Sequence, residues 1–198
     1  MTALTDAIAP ASWRDRAAPR LLLDAGLVLG GSLLVALSAQ LALRLPFTPV
    51  PVTGQPLAVL LVAAALGSRR GALAMALYLA EGAAGLPVFA GGGCCVPWLL
   101  GPTAGYLWSY PLVAYVVGAL AERGWDRHPL TAIAAMLLGT GLIYLVALPW
   151  LAGFVGAADV LRTGLYPFVV GDLLKVVLAA LLLPSAWALA GRGGRAAR

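Results

Sequence analysis

Apolar stretches of about twenty residues recur along the whole sequence, each closed by proline, glycine or arginine, and that is the length a helix needs to cross roughly 30 Å of hydrocarbon. Few other folds satisfy such a pattern, because a soluble core cannot absorb so much unbroken apolar chain. Only 11% of the 198 residues are charged and 62% are hydrophobic, whereas soluble domains carry about 25% charged residues. The formal net charge of +5 does not describe a nucleic-acid binder. The arginines stand at the ends of the apolar stretches, and no segment is both basic and polar enough to track a phosphate backbone.

The pattern predicts six spans. The first covers 21–44. It is followed by LPFTPVPVTGQP, 45–56, with four prolines, which cannot form a regular helix because each proline lacks an N–H and biases its predecessor to extended geometry. The next apolar run, 57–67, is too short to span alone. The proline-rich stretch is therefore expected to fold back and complete the outer half of the second span. Irregular backbone at that depth survives only where protein buries it or it lines a wet cavity, which points to a binding site. Spans three to six are expected at 71–89, 104–121, 130–151 and 166–190, with Pro167 in the first turn of the last. The glycine-rich loop after span three holds Cys94 and Cys95. Adjacent cysteines rarely bridge, so both are expected to be small packing residues. One histidine and no CxxC leave no zinc spacing.

Arginine placement sets the topology. Arg14, Arg16 and Arg20 precede span one, Arg69 and Arg70 separate spans two and three, Arg123 and Arg127 separate four and five, and Arg192, Arg195 and Arg198 follow six. Only Arg44 and Arg162 fall on the other side. The chain thus reads as an all-α integral membrane protein with both termini cytoplasmic. A cytoplasmic tail covers 1–20, a six-helix membrane domain 21–190 and a basic cytoplasmic tail 191–198. The first tail lacks the order of a secretory signal, since its arginines follow its modest apolar part. Trp98, Trp150 and Tyr166 are expected as aromatic anchors at the outer interface, and Asp24 as an interfacial partner of Arg20. Gly26 and Gly30, and Ala72, Ala76 and Ala80, form small-residue stripes that let helices approach closely, for internal packing or for a partner.

A charged group inside a span costs about 2.5–3.5 kcal/mol on insertion scales and tends to be functional. Three qualify: Glu81, Asp172 and Lys175, the last being the only lysine. Asp172 and Lys175 are three apart and share a helix face, about 7 and 12 Å below Pro167. They read either as a buried ion pair that helps the helix insert or as a charged pair aimed into a cavity open to the outside. Glu81 reads equally as a pocket residue or as a packing residue paired to another helix. Tyr106 and Tyr110, four apart, serve either aromatic packing or stacking on a ring. Thr53 and Gln55 bring a hydroxyl and an amide to the same level. No nucleophile–base pair, HExxH or phosphate loop occurs, so the chain does not read as an enzyme, and any ATP-driven step belongs to another subunit. These residues alone leave open a carrier for any of several small polar solutes, small vitamins included, or a membrane subunit with no transported ligand.

Three segments narrow this. PFTPVPVTGQPLAVLLVAAALGSRRGALAMALYLAEGAAGLPVFAGG, then GPTAGYLWSYPL, then GDLLK closely resemble the BioY family, the biotin-specific S components of energy-coupling-factor transporters, over about 40–185. The resemblance implies a six-helix S-component fold in the plasma (inner) membrane and capture of biotin from outside. It also implies partnership with a transmembrane coupling subunit and two ATPases, although some family members occur without dedicated partners. Carried over by motif, GDLLK places ligand-binding groups at Asp172 and Lys175, PVTGQP an outer lid over Thr53 and Gln55, and GPTAGY puts Thr103 and Tyr106 near the pocket mouth. The ureido ring of biotin offers two N–H donors and a carbonyl, and its carboxylate lies at the opposite end. A pair one helical turn apart is thus expected to grip one end while the loops cover the other. Two departures from the family pattern are Gly54, where leucine is frequent, and GCCVPW in a loop that is usually small and free of cysteine.

Overall fold

Large leucines face outward while alanine, glycine and valine fill the helix contacts. Leu21, Leu22, Leu29, Leu33, Leu173, Leu174, Leu181 and Leu182 are exposed, while Ala39, Ala63, Ala74, Ala114, Val117, Ala147 and Ala179 are fully buried. Helices surrounded by hydrocarbon gain little from hiding leucine, so they associate through small residues that let backbones approach. The computed structural model describes residues 3–8 and 17–196. Arg14, Arg16 and Arg198, used above for topology, lie outside the described residues.

A short α1 (Leu4–Ile8) precedes α2 (Ala17–Gln40). A two-stranded hairpin, β1 (Ala42–Leu43) and β2 (Val52–Thr53), pairs antiparallel with Ala42 opposite Thr53 and Leu43 opposite Val52. Then come α3 (Gln55–Leu66), α4 (Ser68–Ala83), α5 (Cys95–Leu100), α6 (Ala104–Glu122), α7 (Pro129–Val155), α8 (Val160–Gly164) and α9 (Tyr166–Ala196). Among the described residues four helical stretches are long and apolar enough to cross a membrane: Arg20–Gln40, Ala104–Glu122, Pro129–Val155 and Val160–Leu189. At ~1.5 Å per residue, α3 and α4 reach only about 18 and 24 Å. The first expected span shifts from 21–44 to 17–40, because Ala42 and Leu43 leave the helix to pair with β2. The third, expected at 71–89, runs from Ser68 to Ala83 and ends ahead of Gly85, whose φ is +102°, and Pro87.

The α6 helix is the hub, packing on α3, α4 and α7, while α9 closes against α3, α7 and α8. Where α6 crosses the α3–α4 turn, a Cβ on Gly118 would stand 2.5 Å from the backbone of Gly67 and Ser68. Gly67 itself sits at φ +82°, open to glycine at little cost. Glu122, one turn beyond Gly118, accepts from the Ser68 backbone N–H at 2.8 Å and from its hydroxyl at 3.0 Å, so α6 caps the start of α4. At the same end Arg70 bridges Asp6 at 2.7 Å and Asp24 at 2.6 Å, and Thr5 donates to the Ala65 carbonyl. Asp24 therefore has an ion-pair partner across helices instead of the expected Arg20, because α2 packs on α4 and turns Asp24 toward Arg70.

The adjacent cysteines are also not as expected. Cys94 and Cys95 are joined by a disulfide. Cys94 is extended at φ −151° and Cys95 has φ +75°, which swings the two side chains to one side, as neither a regular helix nor a strand would.

Candidate ligand-binding site

The starts of α3, α6 and α9 lie at the end of the bundle opposite Arg70 and Glu122, and the proline-rich hairpin loop lies across them. Pro56 occupies the first turn of α3, where its missing N–H costs nothing. The Thr48 hydroxyl donates to the Thr163 carbonyl at 2.7 Å and accepts from the Val50 N–H at 3.1 Å, tying the hairpin loop to α8. The Tyr106 hydroxyl holds the neighbouring Gly164 carbonyl at 2.6 Å. Val50, Leu151 and Phe168 pack as a small apolar cluster beneath this roof.

Below it lies a cavity with an open mouth. A mainly apolar lining with a few converging polar groups is the usual make-up of small-molecule sites. Seven of the eight residues singled out in the sequence line it: Thr53, Gln55, Thr103, Tyr106, Tyr110, Asp172 and Lys175. Gln55 is buried and engaged. Its Nε2 donates to the Tyr78 hydroxyl at 2.7 Å, its Oε1 accepts from Thr53 at 3.1 Å, and the Tyr78 hydroxyl in turn donates to the Val88 carbonyl at 3.1 Å. This chain of bonds fixes the floor of the roof loop against α4.

Asp172 and Lys175 meet at 2.9 Å, with side chains only 10% and 15% exposed. Lys175 Nζ donates to Asp172 Oδ1, and the Tyr144 hydroxyl donates to Oδ2. Both carboxylate oxygens are thereby engaged, while the ammonium, a three-proton donor, keeps capacity for a ligand. Tyr144 also meets Tyr106 edge to face, with ring centroids 6.3 Å apart.

Glu81 is the exception. It does not line the cavity; it accepts a hydrogen bond from the fully buried Ser32 hydroxyl and links α4 to α2. A carboxylate among apolar helices needs a donor, and Ser32 supplies one in the α2–α4 contact. Trp98 forms part of the cavity wall. Trp150 donates to the Gly101 carbonyl at 2.9 Å and Tyr166 is 62% exposed. Thr140 and Tyr144, four apart inside span five, also line the cavity, but as neutral groups they carry no insertion cost that would single them out in the sequence. Among the described residues no three His, Cys, Asp or Glu side chains cluster to hold a metal.

This arrangement of helices is the fold of a vitamin-transporter S component. The chain superposes with a TM-score of 0.74 on the S component for biotin from an ECF-type ABC transporter, covering 86% of this chain and 93% of that one at 20% identity. The chain belongs to the BioY family, whose model matches residues 12–192. It is 41% identical over 143 residues to the biotin transporter BioY of Thermotoga maritima, covering 71% of this chain and 82% of the relative. It is 38% identical to the biotin transporter BioY of Rhodobacter capsulatus, over 75% of this chain and 88% of the relative. A probable biotin transporter BioY from Pyrococcus horikoshii is 36% identical, over 75% and 86%. With its several apolar helices the chain is a multi-pass membrane protein.

Proposed function

We propose that this protein takes up biotin, as the S component that captures the vitamin outside the plasma membrane. The observation that carries this reading is the buried Asp172–Lys175 pair on the wall of a roofed cavity. An ion pair so placed is weak support for stability, whereas it offers both an acceptor and a donor to a ligand with N–H, carbonyl and carboxylate groups. Relatives named for biotin transport support the choice of vitamin.

All six long or apolar helices, α2, α3, α4, α6, α7 and α9, build one membrane domain, with both termini cytoplasmic. Arg69, Arg70, Arg123 and Arg127 gather at the end where Ser68 meets Glu122, and the cavity is at the other. By the positive-inside rule that leaves the cavity outward. Thr53, Gln55, Thr103 and Tyr106 contribute to the wall and lid. Binding and carriage make and break no covalent bond, and energy comes from a coupling subunit with two ATPases.

Calorimetric titration of the detergent-purified protein with biotin and desthiobiotin tests the reading. We expect saturable one-to-one binding of biotin and a rise in melting midpoint on its addition, since a ligand that binds only the folded state stabilises it. Absence of both effects, or preference for a different vitamin in a parallel panel, would refute it.

A further inference from the structure

We propose that Tyr144 is a positioning residue for the charged pair, holding Asp172 in register with Lys175. The inference rests on the reading of Asp172 and Lys175 as ligand groups.

Its first support is geometric. Asp172 sits on α9 and reaches no donor on its own helix other than Lys175 among the bonds that hold it. A single bond from the flexible lysine to Oδ1 restrains the carboxylate only loosely against rotation about its Cβ–Cγ bond. Tyr144, from α7, fixes Oδ2. The two donors come from different helices, so together they set the plane of the carboxylate. That plane decides which lone pairs face the cavity, and hydrogen bonds weaken steeply with misalignment. Tyr144 is itself held, edge-on, by Tyr106, whose hydroxyl is tied to Gly164 in the roof. Roof and charged pair are thereby joined through two rings.

The second support is the position of Tyr144 in the wall. Thr140, Tyr144 and Asp172 line the central cavity, and the same three residues form the base of a shallow cleft on the outside between α7 and α9, flanked by Leu137, Val169, Leu173 and Val176. Leu137 and Leu173 are exposed on helices long enough to span the membrane. Asp172 thus stands between the cavity and the outer cleft, with Thr140 and Tyr144 beside it. An aromatic ring with one hydroxyl suits that place, because it fills apolar space and still brings a polar tip to the carboxylate. Phenylalanine keeps the body and removes the tip, which makes Tyr144→Phe an informative substitution.

The test is a double-mutant cycle in biotin affinity on the full-length protein, by competition titration carried to millimolar ligand, for wild type, Tyr144→Phe, Asp172→Asn and the double variant. Loss of one hydrogen bond to a charged group predicts about tenfold weaker binding for Tyr144→Phe. In the Asp172→Asn background the same change should cost less than about twofold, because the group through which it acts is no longer ionised. An unchanged affinity in Tyr144→Phe overturns the proposal. So does an equal loss in both backgrounds, which is what a purely structural role of the hydroxyl would give. Where Asp172→Asn binds too weakly to titrate, melting midpoints of the ligand-free proteins carry the cycle: non-additive shifts support the coupling and additive shifts overturn it. An unaltered affinity in Asp172→Asn would instead sink the reading of Asp172 as a ligand group, a different failure from additivity.

Discussion

Asp172→Asn and Lys175→Ala should each weaken biotin binding by about 2–5 kcal/mol, or roughly thirty- to several-thousand-fold. The argument is one of asymmetry. The pair is nearly out of solvent, and removing one member leaves the other charge in a low-dielectric wall with only part of its partners. Lys175→Ala leaves Asp172 with the Tyr144 hydroxyl. Asp172→Asn leaves the ammonium facing a neutral amide. Replacing both groups together should behave differently. In Asp172→Asn/Lys175→Met no unpaired charge remains, so thermal stability should recover toward wild type while biotin affinity stays lost. Titration and melting curves on the four proteins separate the roles. Unchanged affinity in both single variants would remove the pair from the site, and recovery of binding in the double variant would show it to be structural only.

Gly118→Ala should cost more stability than any other single-methyl addition at a helix crossing of this protein with comparable burial. The added carbon would lie 2.5 Å from the Gly67 carbonyl carbon and the Ser68 nitrogen. These are backbone atoms in a turn that already needs φ +82° at Gly67 and is clamped by Glu122, so neither side can yield as a flexible side chain would. Overpacking of this kind costs about 1–3 kcal/mol, which corresponds to a drop of roughly 2–12 °C in melting midpoint for a chain of this size. Gly141→Ala, where the methyl meets nothing within 4 Å, is the matched comparison and should not lower the midpoint. Equal midpoints for Gly118→Ala and wild type would refute the close crossing of α6 over the α3–α4 turn.

Membrane class, approximate helix positions and the charged pair of the cavity wall were legible in the sequence because each follows from a cost that the bilayer imposes locally, whereas Thr103 was legible only through the family motif. A proline-rich run beside an apolar stretch of eleven residues has to be irregular, and Asp172 and Lys175 inside a span have to be paired. What sequence could not give were matters of which faces meet. Glu81 carries the same insertion cost as Asp172, yet it turns toward Ser32 because α4 packs on α2 at that height. Asp24 lies one turn from Arg20, but the contact between α2 and α4 hands it to Arg70. Tyr144 looks like an ordinary aromatic in an apolar span until α9 is placed beside it. The linkage of Cys94 and Cys95 depends on a positive φ at Cys95, which no composition rule assigns to cysteine.

The solitary lysine has a consequence for chemistry done on the protein from outside. The chain has no other side-chain amine, and this one lies in the cavity wall beside a carboxylate. Acylating and reductive-alkylating reagents, which on most proteins decorate a whole surface, here have one side-chain amine to react with, in the wall of the binding site. The rate of that single modification therefore becomes a direct gauge of whether the roof is open or shut.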